Sequence, residues 1–193
     1  MNNEIEDSRK RSIIIYSIIA VIVILDQITK YIVKSSMHLY ESINLLGDFL
    51  KFTYIENPGM AFGIQFENKF WFTVLSVVAA GIVVFYLLRM TNERYVFRFS
   101  LALILGGAIG NLIDRLAFGK VVDFIDVEFI DITLPSFNLW IISFPGYDMT
   151  RWPVFNIADS AVTCGMILLT WMVLTQKPQL EQEIVSKGDK PAA

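Results

Sequence analysis

Four apolar runs organise the chain, at roughly 12–34, 70–90, 96–116 and 154–176. Each holds about 20 mainly hydrophobic positions, the length a helix needs to cross a bilayer at about 1.5 Å per residue. The pattern predicts an integral membrane protein, mainly α, built as a four-transmembrane-helix bundle. Arg9, Lys10 and Arg11 precede the first run as in a secretory signal peptide. No small-x-small cleavage site follows it, and Asp26, Gln27 and Lys30 continue a helical pattern, so it reads as a retained anchor. An even number of spans puts both termini on one side.

The connections are unequal. The second is short, while 35–69 and 117–153 are long and patterned. Within the first long connection, FLKFTYI at 49–55 is rich in aromatic and β-branched residues and stops at Asn57-Pro58-Gly59, after which MAFGI resumes. This predicts a hairpin or small sheet on the membrane surface. In the second, VVDFIDVEFIDITL predicts strands, although Asp123, Asp126, Glu128 and Asp131 keep no single period of two. The expected fold therefore adds a small β-rich extracytoplasmic surface element to the bundle. Basic residues cluster at the termini and the short connection, which places both termini in the cytoplasm, and Trp71 and Trp152 fall where an outer aromatic belt belongs. Residues 1–176 read as one membrane domain and 177–193 as a polar, disordered cytoplasmic tail.

Composition agrees: 54% of the 193 residues are hydrophobic, and the mean hydropathy is +0.53. A net charge of −3 without a basic, aromatic-interleaved patch excludes nucleic acid as a partner. The single cysteine, Cys164, rules out an intramolecular disulfide and a thiolate metal cluster, and its apolar surroundings predict a buried packing role. The single histidine, His38, lies in a loop, so neither an HExxH zinc site nor a histidine-activated nucleophile is available. No cofactor and no metal are expected.

The polar residues inside the runs carry the chemistry. GGAIGNLIDR at 106–115 places Asn111, Asp114 and Arg115 three and four residues apart, on one helix face. A charge facing hydrocarbon costs about 2.5–3.5 kcal/mol, so this face turns into the bundle. Gly106 and Gly110 form a small-xxx-small pair suited to close helix contact. Counted from the ends of their runs, Asp26 and Asn111 lie about 21 and 22 Å in from one side and Asp159 about 8 Å in from the other. In a core about 30 Å thick these depths coincide, roughly 8–9 Å below the outer surface. Asn156, three residues before Asp159, joins the same level.

Asp123 and Asp159 remain as a candidate pair. Two adjacent carboxylates share a proton, so the pair holds an acid and a base at neutral pH, able to activate water and protonate a leaving amine. The same acids could instead pair structurally with Lys30, Arg115 and nearby amides. A proton-coupled transporter is the rival from another class. It needs a polar path to the cytoplasmic side, yet the inner halves IIIYSIIAVIVIL, GIVVFYLL, SLALIL and ILLTWMVL carry no carboxylate or basic group.

Five ordered blocks, DQITK at 26–30, ENPGMAFG at 56–63, GGAIGNLIDR at 106–115, VVDF at 121–124 and WPVFNIADS at 152–160, resemble the bacterial lipoprotein signal peptidases (signal peptidase II) from the first span to the fourth. The resemblance implies an aspartic endopeptidase of the bacterial inner membrane, multi-pass, with its active site near the outer leaflet. Its implied substrate is a diacylglyceryl-modified prolipoprotein, cut just before the lipidated cysteine. Asp123 and Asp159 would be the catalytic dyad. Asn111 and Asn156 would orient it, and Asp26, Lys30, Asn57, Asp114 and Arg115 would support it and hold substrate. Membrane lipid is the other implied partner, and a monomer the expected state. The insertion at 125–151 is longer than the family pattern.

Overall fold

The computed structural model describes residues 2–58, 60–61, 64–65, 69–90, 94–128, 131–135, 137–139, 142–144 and 147–175. The tail expected to be disordered lies outside them. Four helices, α1 (Asn2–Ser36), α2 (Lys69–Arg89), α3 (Tyr95–Phe118) and α4 (Ile157–Thr175), carry the apolar runs. Three stretches, Arg9–Ser36, Tyr95–Phe118 and Ile157–Thr175, are long and apolar enough to cross a membrane, and Thr73–Arg89 is a shorter apolar helix. The helix α3 ends at Gly119, which takes the left-handed conformation (φ 67°) and returns its N–H to the Arg115 carbonyl, the geometry glycine accepts without strain.

Helix α3 packs against all three others. Glycines make the approach possible. A methyl group at Gly106 would press on the Ile22 side chain of α1, one at Gly110 would come within 2.6 Å of Asp26 Oδ2, and one at Gly107 would land on the Ala158 carbonyl oxygen of α4. The expected Gly106/Gly110 pair thus meets α1, and Gly107 adds the contact with α4. Gly107→Ala should therefore cost stability at the upper end of about 1–3 kcal/mol, because the obstacle is backbone and cannot swing aside. Gly81→Ala on α2, with nothing within 4 Å, should be neutral or stabilising. Thermal unfolding of the two variants in detergent measures the difference, and equal midpoints would refute the close-packing account.

The strands are β1 (Ser42–Leu46), β2 (Leu50–Asn57), β3 (Met60–Ala61), β4 (Ile64–Gln65), β5 (Val121–Val127), β6 (Ile132–Leu134), β7 (Phe137–Leu139), β8 (Ile142–Phe144) and β9 (Tyr147–Met149). An antiparallel sheet forms in the order β1-β2-β5. The turn signal after Asn57 suggested pairing between FLKFTYI and MAFGI. Instead β2 pairs with β1 and β5, while β3 and β4 of the MAFGI stretch pair with each other. The free edge of β5 is covered by chain returning to α4: Phe155 exchanges backbone hydrogen bonds with Ile125 at 2.7 and 3.0 Å. Six of the seven β5 residues are buried, which explains the missing alternation in VVDFIDV. Val122 and Phe124 pack with Val33, Met37 and Tyr54 at the end of α1, and Phe124 meets Phe52 edge-on at 5.7 Å. The sheet therefore sits across the ends of α1 and α3.

One expectation reverses. Cys164 is exposed on α4 and does not fill the bundle core.

Candidate active site

Asp159 enters through the start of α4. Asn156 precedes the first helical residue, and its Oδ1 accepts the Asp159 N–H at 2.9 Å while Asp159 Oδ2 accepts the Asn156 N–H at 3.2 Å. This is a capping box, a reciprocal pair that satisfies two otherwise orphaned amides. The next orphan, the Ala158 N–H, donates to Asp26 Oδ1 of α1 at 2.9 Å. The second Asp159 oxygen accepts from Asn111 Nδ2 at 2.7 Å.

Asp123 arrives on the central part of β5, with 2% of its surface exposed. Its Oδ1 accepts from Asn156 Nδ2 at 2.7 Å and its Oδ2 from Asn57 Nδ2 at 3.0 Å. One asparagine thus touches both acids, through its side-chain amide to Asp123 and through its backbone N–H to Asp159. Burial, then the nearby Asp159 charge, pushes the Asp123 carboxyl up to about 7, against the hydrogen bonds of Asn57 and Asn156 and the Lys30 charge, which favour ionisation. The Arg115 charge reaches Asp159, Asp123 and Asp114. Beside Asn57, Lys120 hydrogen-bonds Glu56 at 2.6 Å and holds its carboxyl below the usual range.

Behind the pair lies a buried ion cluster. Lys30 Nζ sits 2.8 Å from Asp26 Oδ2 and 3.1 Å from Asp114 Oδ2, and donates to Asn111 Oδ1 at 2.9 Å. Lysine can only donate, so it fixes Asn111 with its oxygen inward and its NH₂ toward Asp159. Asn156 Nδ2, 3.1 Å from the same Asn111 oxygen, reinforces that orientation. Asp114 also accepts the Val122 N–H at 3.1 Å, tying the end of α3 to the strand that carries Asp123.

Asp26, Asn111, Asn156 and Asp159, which the sequence count put at one level, therefore belong to one connected network that also takes in Lys30, Asn57, Asp114 and Asp123. Gln27 belongs to it as well: its Nε2 reaches Asp26 Oδ2, the Gly110 carbonyl and Asp114 Oδ1 at 3.1–3.2 Å. Its three-residue spacing from Lys30 carried that signal. The backbone amides of Ala158 and Val122 have no sequence signature at all. Among the described residues, no group of three His, Cys, Asp or Glu is placed to hold a metal ion.

Helices of membrane-spanning length that bury two carboxylates beneath a small antiparallel sheet define a membrane protein equipped for acid–base chemistry at its surface. Comparison with known proteins gives that class its family. The sequence model of Signal peptidase (SPase) II matches residues 18–175. The lipoprotein signal peptidase of Moorella thermoacetica is 38% identical over 150 residues, covering 78% of this chain and 85% of that protein. That of Caldanaerobacter subterraneus subsp. tengcongensis is 39% identical over 157 residues, covering 81% and 93%. A bacterial membrane enzyme solved in meso at 2.3 Å resolution superposes with a TM-score of 0.67 at 30% identity, covering 93% of this chain and 94% of the other. The chain belongs to the signal peptidase II family of proteases.

Proposed function

We propose that this protein is an intramembrane aspartic endopeptidase that removes signal peptides from diacylglyceryl-modified prolipoproteins, cleaving before the lipidated cysteine. Asp123 and Asp159 are its dyad. The observation that carries this reading is the shared grip of Asn156 on both carboxylates. It holds them close enough to feel each other's charge, and their remaining oxygens face the donors Asn57 and Asn111. Such a pair retains one proton at neutral pH.

Each Asp159 oxygen already accepts a hydrogen bond from an N–H donor, so this carboxyl is placed as the acceptor of the pair. Asp123 holds the proton. The ionised partner takes a proton from water as the water attacks the scissile carbonyl, and the protonated partner passes its proton to the departing amine. All four helices span the bacterial cytoplasmic membrane with both termini cytoplasmic. The sheet then lies at the outer surface with the dyad just beneath it. There it meets a peptide bond adjoining a cysteine whose acyl chains stay in the bilayer. The protein works as a monomer, without metal or cofactor.

The test compares a diacylglyceryl-modified prolipoprotein with its unlipidated precursor, in lipid and in the presence of chelator, followed by gel shift. Cleavage of the lipidated form alone supports the reading. Failure of well-folded protein to cut either form overturns it.

A pH profile adds detail. Because the proton on Asp123 is required, kcat/KM should fall as pH rises past about 7. Asn57 donates to Asp123 and favours its ionised form, so Asn57→Ala should move this alkaline limb to higher pH while lowering kcat/KM about tenfold. An unmoved limb would remove Asn57 from contact with the titrating group.

A further inference from the structure

Register decides which side chain of β2 meets Asp123. From Phe52↔Ile125 to Ile55↔Asp123 the ladder advances three residues on β2 but only two on β5, so β2 carries one extra residue, a bulge. Beyond it Ile55, Asn57 and Asp123 share one face, and Asn57 reaches diagonally across the ladder to Asp123 Oδ2 at 3.0 Å. Glu56, opposite Val122, takes the other face. Were the bulge to close, every pair beyond it would slip by one residue, and Glu56 would stand opposite Val121 in the place of Asn57. The dyad would then lose an amide donor and face a third carboxylate. Asn57↔Val121 is the last rung, and Pro58, next in the chain, has no N–H to donate to a further one.

What opposes this slip lies on the face away from the dyad. Lys120, two residues before Val122, donates to Glu56 Oε2 at 2.6 Å, and the Tyr54 hydroxyl donates to Glu56 Oε1 at 3.1 Å. Both oxygens of Glu56 are thus held. One partner comes from the segment that leads into β5, the other is a buried tyrosine packed with Val122 and Phe124. The Lys34 charge, in the last turn of α1, also reaches Glu56. With Lys120 half exposed, the ion pair adds little to global stability. Its effect is local: it ties the last turn of side chains on β2 to the start of β5.

We propose that Glu56 and Lys120 form a register clasp, a pair of positioning residues that keeps β2 in the register presenting Asn57, and not a carboxylate, to Asp123. The clasp acts through Asn57. The proposal rests on the reading of Asp123 as one of the dyad and adds the device that places its amide donor.

Infrared difference spectroscopy tests it. The Asp123 carboxyl stretch, identified by its loss in Asp123→Asn, is followed through a pH titration of the whole chain in lipid, beside kcat/KM for the lipidated prolipoprotein. Glu56→Leu should move the titration above the wild-type midpoint, in the direction of Asn57→Ala, and lower kcat/KM about fivefold. Glu56→Ala takes its place should the leucine variant fold poorly. Lys120→Met should lower kcat/KM to a similar extent. In an Asn57→Ala background neither substitution should raise the midpoint or lower kcat/KM further. The sign discriminates, because removing a nearby negative charge by itself favours the Asp123 anion and lowers the midpoint. The charges of Asp159, Lys30 and Arg115 that bear on Asp123 are the same in every variant. A midpoint unmoved or lowered by Glu56→Leu overturns the proposal, and so does an effect of either substitution that persists undiminished without Asn57. The titration needs no substrate, so it decides the matter even for a wild type that cuts no prolipoprotein, an outcome that would sink the peptidase reading alone.

Discussion

Asp123→Asn should abolish cleavage, lowering kcat by about 10²–10⁴-fold or to the assay floor, while leaving the protein as heat-resistant as before. The two halves of this result have one cause. The Asp123 carboxyl rises from 3.8 to about 7 on folding, chiefly through burial. The folded state therefore holds this proton more tightly than the unfolded state. Stability from Asp123 is complete below about pH 3.8 and declines as pH climbs through about 7, above which the buried carboxylate predominates and the loss levels off. Asparagine cannot ionise, so the variant escapes this loss. Its unfolding midpoint in detergent at pH 8 should equal or exceed that of the wild type. Asp159→Asn should be equally inactive but less stable by about 1 kcal/mol, because its new NH₂ group opposes either the backbone N–H of Asn156 or the Asn111 amide that Lys30 holds in place, and spoils the capping box, whereas at Asp123 a half-turn of the Asn57 amide presents an acceptor to the new NH₂. Wild-type processing by either variant would refute the dyad. Equal midpoints for the two would refute the distinct roles assigned to their surroundings.

Lys30→Met should produce the largest loss of stability, about 3–5 kcal/mol. It leaves Asp26 and Asp114, 0% and 2% exposed, without the ammonium between them. An isosteric apolar chain fills the space but cannot compensate two buried charges. Activity should fall as well, for a separate reason: without Lys30, the Asn111 amide loses the charged one of the two donors that fix its orientation, and an inverted amide would set its oxygen against Asp159. Thermal unfolding and single-turnover cleavage follow the two effects independently. A small change in midpoint would mean that the buried ion cluster is dispensable.

The polar layer was legible because charge inside an apolar run has few places to go. Counting rise per residue brought Asp26, Asn111 and Asp159 to one depth, and hydrogen bonds now link the three through Lys30, Asn111 and Ala158. The role of Asn57 came from family resemblance, since locally Asn-Pro-Gly reads as a turn. Gln27 was visible only as part of a helical pattern. Cys164 shows where periodicity stops: lipid and bundle core are equally apolar, so hydrophobic spacing cannot say which of them a small neutral residue faces. Strand order was hidden for another reason. The second partner of β2, beyond its neighbour β1, is β5, more than sixty residues away, and a local turn signal carries nothing about pairing at that distance.

The start of α4 has a consequence for how an inhibitor of this enzyme would be escaped. Asn156 and Asp159 close the first turn of that helix, and the Asn156 side chain that caps it through Oδ1 also holds the Asp123 carboxylate through Nδ2. A substitution there that weakens a compound bound across the two carboxylates also removes the cap that starts the helix, so resistant clones would carry less protein at the membrane. Viable escape is confined to the sheet side of the site, around Asn57 and Glu56. Compounds whose grip lies mainly on Asn156 and Asp159 should therefore select resistance most slowly.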